Sequence, residues 1–184
     1  MTLTSRVAPG VLFLLLSAGV CAVEGITVEH ASSQLVDDSY YLDARVNFSL
    51  HDDLLEALDH GVDLDIRIIV RVKEKRKWLW DRVYQEKTLK FKLDHRPLSD
   101  VYTVRNVRKS ERRQFDTLEN ALKYMGKIDR YHLMNNNKIT DDSGLTGMIR
   151  AEMNVDNLPP PLKPIAFLSD KWQMGGKWHR WTIR

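Results

Sequence analysis

Between Asp63 and Leu93 the chain alternates apolar and polar residues on both sides of a basic, tryptophan-bearing turn, and that pattern demands a β-hairpin. On the first arm Leu64, Ile66, Ile68, Val70 and Val72 share one face, while Asp63, Asp65, Arg67, Arg71 and Lys73 mostly fill the other. The return arm sets Leu89, Phe91 and Leu93 against Lys90 and Lys92. A two-stranded ribbon cannot hide such an apolar face alone, so further strands must cover it.

Those strands are predicted in chain order. Ile26 to Val36 reads as an irregular first strand, interrupted at His30 to Gln34, and Asp37-Asp38-Ser39 as the turn that follows it. Tyr40 to Leu50 alternates throughout, and Leu145, Gly147, Ile149, Ala151, Met153 and Val155 alternate with Thr146, Arg150, Glu152 and Asn154. Val101 to Val107 is predicted as a strand with Tyr102 and Val104 inward and Thr103 and Arg105 outward. Asp94 to Pro97 is expected to be a turn, Arg108 to Arg113 a charged connection, Ile128 to Met134 a further strand, and Asn135 to Gly144 a polar loop. Two short helices interrupt the series. Ser49 is predicted to cap the first, which buries Leu54, Leu55 and Leu58 and stops at Gly61; an Asp116-x-x-Glu119 capping box starts the second, which ends at Gly126. Leu158 to Pro164 reads as an extended polyproline link. Gly175-Gly176 reads as a hairpin turn that places Trp172 opposite His179, keeps Trp181 and Ile183 on that face, and points Trp178 the other way. The expected architecture is an antiparallel β-sandwich of seven or eight strands with two short helices at its ends; a closed β-barrel is the alternative.

Residues 1–22 read as an export signal, with Arg6 ahead of an apolar run from Val11 to Val20 and Val20-Cys21-Ala22 as the cleavage site. The run is far shorter than the roughly 20 residues of a membrane-spanning helix, so no permanent span is expected. The expected location is periplasmic or secreted, with lipid anchoring through Cys21 as the alternative. Residues 23–184 suffice for one domain with a core of its own. Cys21 is the only cysteine, so cleavage removes thiol chemistry, disulfides and cysteine-ligated zinc together.

Five groups of residues together resemble a known family: Leu54-Leu-x-Ala-Leu-x-x-Gly-Val62, Trp78-x-Trp-Asp81, Phe115-x-Thr-Leu-x-x-Ala-Leu122, Leu158-Pro-x-Pro-Leu162 and Trp172…Gly175-Gly-x-Trp178-x-x-Trp181. They resemble an exported proteobacterial family known as domain of unknown function number four-three-nine-zero, over nearly the whole of residues 23–184. Asp94-His95 departs from the Tyr-Asn pair expected after the central hairpin. The resemblance implies no activity and no catalytic residues. It does imply a link to envelope signalling, because genes of such proteins lie near those of membrane sensor kinases.

No enzyme motif stands out. The six histidines show no recognised ligand spacing. His51 and His60, nine residues apart, lie roughly 13 Å from each other on a helix, and neither a metal nor another cofactor is expected. Ser143 lacks the glycines of a nucleophile elbow, and no phosphate-binding or dinucleotide loop is present.

The formal charge is only +3, yet cations crowd the middle third. Arg67, Arg71, Lys73, Lys90, Lys92 and Arg105 are expected on the outer face of one sheet, as a landing surface for an anionic lipid, a glycan or an acidic envelope protein. The competing reading is a solvated face balanced by Asp63, Asp65 and Glu86. Trp78, Trp80 and Trp178 are candidate aromatic contacts, or else residues that close the core. Export separates the chain from nucleic acid, so none is expected as a partner. The function expected is a non-enzymatic binding or adaptor domain of the cell envelope; the alternatives are a hydrolase of an envelope polymer and a small-ligand carrier.

Overall fold

The computed structural model describes residues 25–74, 80–136, 144–154, 160–161, 164 and 174–183. The signal segment, Trp78, Trp172, most of the polar loop and most of the polyproline link lie outside the described residues. The chain runs β1 (Gly25–Val36), β2 (Ser39–Ser49), α1 (Asp52–Asp59), β3 (Leu64–Glu74), β4 (Arg82–Arg96), β5 (Val101–Asn106), β6 (Glu111–Phe115), α2 (Leu118–Gly126), β7 (Lys127–Asn135), β8 (Leu145–Asn154) and β9 (His179–Thr182). Two antiparallel sheets result, one ordered β1-β2-β7 and the other β6-β5-β4-β3-β8-β9. This is the expected sandwich, with nine strands among the described residues in place of seven or eight. The barrel alternative fails because the strands form two separate sheets whose edge strands do not join one another among the described residues.

The core lies between the sheets and is filled by the alternating residues. Leu42, Ala44, Val46 and Phe48 of β2 face Leu64, Ile66, Ile68, Val70 and Val72 of β3, all buried. Complete burial of such side chains stabilises the fold by about 1.5–3 kcal/mol each. The β1–β2 hairpin turns on Asp37 and Asp38, both with positive φ (45° and 58°), a two-residue turn whose twist matches the strands it joins. Trp181 Nε1 donates to Ser33 Oγ at 3.1 Å, and Lys87 Nζ donates to the His132 carbonyl at 2.8 Å, so each flank of the sandwich carries a bond from sheet to sheet.

Both helices stand where the chain crosses between sheets, and each buries a short apolar stripe: Leu54 and Leu58 in α1, Ala121 and Met125 in α2. Their caps differ from expectation. Ser49 is held in the β-ladder opposite Gly25, so α1 starts at His51 without a side-chain cap. Thr117, not Asp116, caps α2, its Oγ1 accepting from the Asn120 N–H at 3.2 Å. Gly61 has φ +78° and ends α1 as predicted.

Other expectations are corrected by the pairing. Asp94 and His95 stay inside β4 opposite Thr103 and Tyr102, and the turn comes at Pro97 to Asp100. The stretch read as a connection at Arg108 to Arg113 holds the start of edge strand β6, whose first four residues are all polar and so carry no alternation. Thr103 is 1% exposed, not outward in water. Gly175 and Gly176 are not a hairpin turn: Gly175 pairs with Glu152, and Gly176 donates to the Ala151 carbonyl at 2.8 Å. A Cβ on Gly176 would meet the Ile26 carbonyl oxygen at 2.9 Å, so the glycine permits the two sheets to approach there.

Candidate functional site

The outer face of the six-stranded sheet carries the predicted cations, and strand register decides which of them meet. Asp65 pairs with Asn154 on one side and Lys92 on the other, Lys92 with Arg105, and Arg105 with Arg112, so one row crosses five strands. The next row sets Lys90 opposite Arg67, and Arg67 opposite Glu152. Between these rows lies an open cleft of about 730 Å³, lined by Arg67, Lys90, Lys92, Arg105, Arg112 and Asn154 among others.

Four of the six predicted basic residues therefore converge: Arg67, Lys90, Lys92 and Arg105. Arg71 and Lys73 stand further along β3 and do not reach the cleft. Arg112 and Asn154 were not predicted as site residues. Arg112 could have been found by pairing Arg105 across a four-residue turn, had Glu111 to Phe115 shown a strand pattern.

Charge is unevenly compensated within the cleft. Lys92 Nζ lies 3.2 Å from Asp63 and 3.7 Å from Asp65. Glu152 accepts both Arg67 at 2.9 Å and Arg150 at 2.8 Å. Lys90, Arg105 and Arg112 have no ion pair among the described residues. Cation faces cation directly at Arg67–Lys90, Lys92–Arg105 and Arg105–Arg112. Such like-charge cross-strand pairs are destabilising.

The aromatic candidates separate in space. Trp178 is half-buried, with the guanidiniums of Arg71 and Arg150 at 4.7 and 4.8 Å from its ring, and Arg71 also pairs with Glu86. Its ring is engaged within the protein. Ile69 and Met148 are buried on this same outer face, with the long stems of Arg150 and Arg71 as their cross-strand neighbours. Trp80, at the tip of the β3–β4 hairpin, is 93% exposed and does not close the core. It precedes β4, whose eight steps from Arg82 to Lys90 alone span on the order of 25 Å at the usual rise per residue. The tip and the cleft are thus separate surfaces.

A sequence profile described as Domain of unknown function (DUF4390) matches residues 23–182. The chain belongs to this family. Comparison with curated proteins and with solved structures returns no significant match. The family description assigns no chemistry, so what the DUF4390 chain can bind has to be read from its own surface.

Away from the cleft, the segment where the resemblance led to the expectation of Tyr-Asn forms a polar knot in this DUF4390 chain. The His95 side chain is 7% exposed, with Nδ1 3.0 Å from Asp59 and Nε2 3.2 Å from Asp100. Only the Asp100 approach has hydrogen-bond alignment. The imidazole stacks on Tyr102 at 4.2 Å with a 10° interplanar angle. Burial, then the carboxylates of Asp59 and Asp100, raises the Tyr102 phenol above its ordinary value. The knot ties the last turn of α1 to the β4–β5 turn. Among the described residues no group of three or more histidines, cysteines and carboxylates is placed to hold a metal ion, and no helix is long and apolar enough to cross a membrane.

Proposed function

We propose that this chain is a non-enzymatic binding or adaptor module of the bacterial cell envelope, and that it takes hold of an anionic group in the cleft on its six-stranded sheet. The observation that carries this reading is the like-charge register at Arg67–Lys90, Lys92–Arg105 and Arg105–Arg112. Carboxylates offset Arg67 and Lys92 in the first two pairs, whereas Arg105–Arg112 has no ion pair among the described residues and works against the fold by up to about 1 kcal/mol; a bound anion converts that repulsion into attraction. Guanidiniums favour planar or tetrahedral oxyanions, which they engage through two parallel N–H donors. A phosphate-bearing head group or polymer of the envelope has that chemistry.

The envelope assignment is supported by the sequence at residues 1–22, where a positive start, a short apolar run and small residues at the cleavage position form an export signal. Release at Ala22 delivers a periplasmic or secreted protein, and retention of Cys21 as a lipid anchor is the alternative. An adaptor for an envelope signalling protein fits the same placement.

Two measurements test the reading. Titration with pyrophosphate, followed by calorimetry, is expected to saturate, to weaken steeply with salt, and to fall about tenfold or more in an Arg105→Gln/Arg112→Gln variant. Fractionation of cells expressing the full chain is expected to place it outside the cytoplasm, with an amino terminus at Val23. Pyrophosphate affinity unaffected by the double variant, or a cytoplasmic protein that retains Met1, would overturn the proposal.

A further inference from the structure

We infer that a second, smaller pocket, at the corner where α2 and β7 meet the inner side of β4 to β6, binds a compact monocarboxylate with an apolar body. The site arises from the unequal sheets: three strands cannot cover six, and beyond β7 the inner side of β5 and β6 depends on α2 for cover. A pocket of about 260 Å³ remains there. That is just below the roughly 300–1,000 Å³ of sites for drug-sized ligands, so the ligand is small.

The two ends of the pocket differ in chemistry. Its floor is apolar, made by Leu89, Phe91 and Ile128. Its other end is the β5–β6 turn, where Asn106 is 8% exposed and its Oδ1 accepts the Lys109 backbone N–H at 3.2 Å. Among the described residues nothing accepts from the Asn106 amide nitrogen. That nitrogen keeps access to the solvent of the pocket, where it can donate to an acceptor.

Two cations flank it. Elsewhere around the rim, charge is matched, since Arg113 pairs with Glu111 at 2.7 Å and Lys127 with Asp129 at 2.9 Å. Arg108 and Lys109 have no ion pair among the described residues; Arg108 donates only to the Tyr131 hydroxyl at 3.2 Å. A carboxylate at this end meets an amide donor and the cations Arg108 and Lys109, the second of which also acts on Glu111 at the rim, while an aromatic ring or short branched chain covers the floor. The reading is independent of the cleft, which lies on the opposite face of the same sheet.

Benzoate is the probe, with benzyl alcohol as its neutral counterpart. NMR titration of the full chain is expected to show saturable benzoate shifts at the pocket residues and binding of benzyl alcohol at least about tenfold weaker. Asn106→Asp keeps the acceptor for Lys109 and replaces the donor with a like charge, and is expected to abolish benzoate binding. Arg108→Gln/Lys109→Gln alters only exposed side chains, so it keeps the test decisive if Asn106→Asp fails to fold; it should weaken benzoate about tenfold. Arg105→Gln/Arg112→Gln should leave benzoate binding intact, which separates this site from the cleft. Equal binding of benzoate and benzyl alcohol, benzoate affinity unchanged by the Arg108/Lys109 variant, or no saturable shift in the millimolar range would overturn the inference.

Discussion

Gly126 ends α2 with its α-carbon against the Val46 carbonyl oxygen, and an added Cβ would overlap that oxygen. Because the obstacle is backbone, the helix itself must shift to admit a methyl group. Gly126→Ala is therefore expected to cost about 1–3 kcal/mol in urea unfolding. Gly144→Ala, where a Cβ would find nothing within 4 Å, should stay within about 0.5 kcal/mol of the parent. The sequence marks Gly126 as a helix stop, but the close approach to β2 is a tertiary fact that no local pattern carries. Tyr102 gives a pH signature at the same scale. Its phenol is raised above 10.0, first by burial and then by Asp59 and Asp100, and burial raises Tyr124 likewise. A raised phenol favours the neutral form in the folded state. Its contribution is thus fully present below pH 10 and lost as pH climbs through the raised value. The difference in tyrosinate absorbance between parent and Tyr102→Phe should have its midpoint above that of a free tyrosine.

The central hairpin was legible because a strand buried on one face writes period two into its sequence, from Leu64 to Val72 and again from Leu89 to Leu93. Edge strand β6 was not legible. Among the described residues Glu111 to Phe115 pairs with β5 alone and shows mostly polar side chains, so nothing in its composition separates it from a loop. Ser49 was read as a cap although the β2 ladder holds it opposite Gly25, and Asp116 because its neighbour Thr117, which caps α2, serves equally well by composition. Trp80 was weighed as a residue closing the core, and the element carries it beyond the core instead. Trp80→Ala should change unfolding free energy by no more than about 0.5 kcal/mol, against the roughly 3–5 kcal/mol of removing a core tryptophan. A large loss of stability would show that the hairpin tip folds back onto the sandwich.

At the scale of the whole molecule, the three-stranded sheet packs on one face of the six-stranded sheet; on the other face no strand or helix lies among the described residues, and the chain sets a row of cations across it. The alternation in the sequence predicted which face Arg67, Lys90, Lys92 and Arg105 occupy. It could not predict that Arg71 and Lys73 stand outside the cleft or that Arg112 stands within it, because membership depends on register between strands distant in sequence. If the cleft is an anion site, the fold gives up stability to keep it, and Arg105, flanked by Lys92 and Arg112, bears most of that conflict. The decisive measurement is the urea unfolding free energy of Arg105→Gln beside its pyrophosphate affinity, at low and high salt. The variant is expected to gain up to about 1 kcal/mol at low salt, to lose that gain as salt screens the row, and to bind pyrophosphate more weakly throughout. A variant that is less stable than the parent at low salt, or that binds pyrophosphate as well as the parent does, would contradict the account.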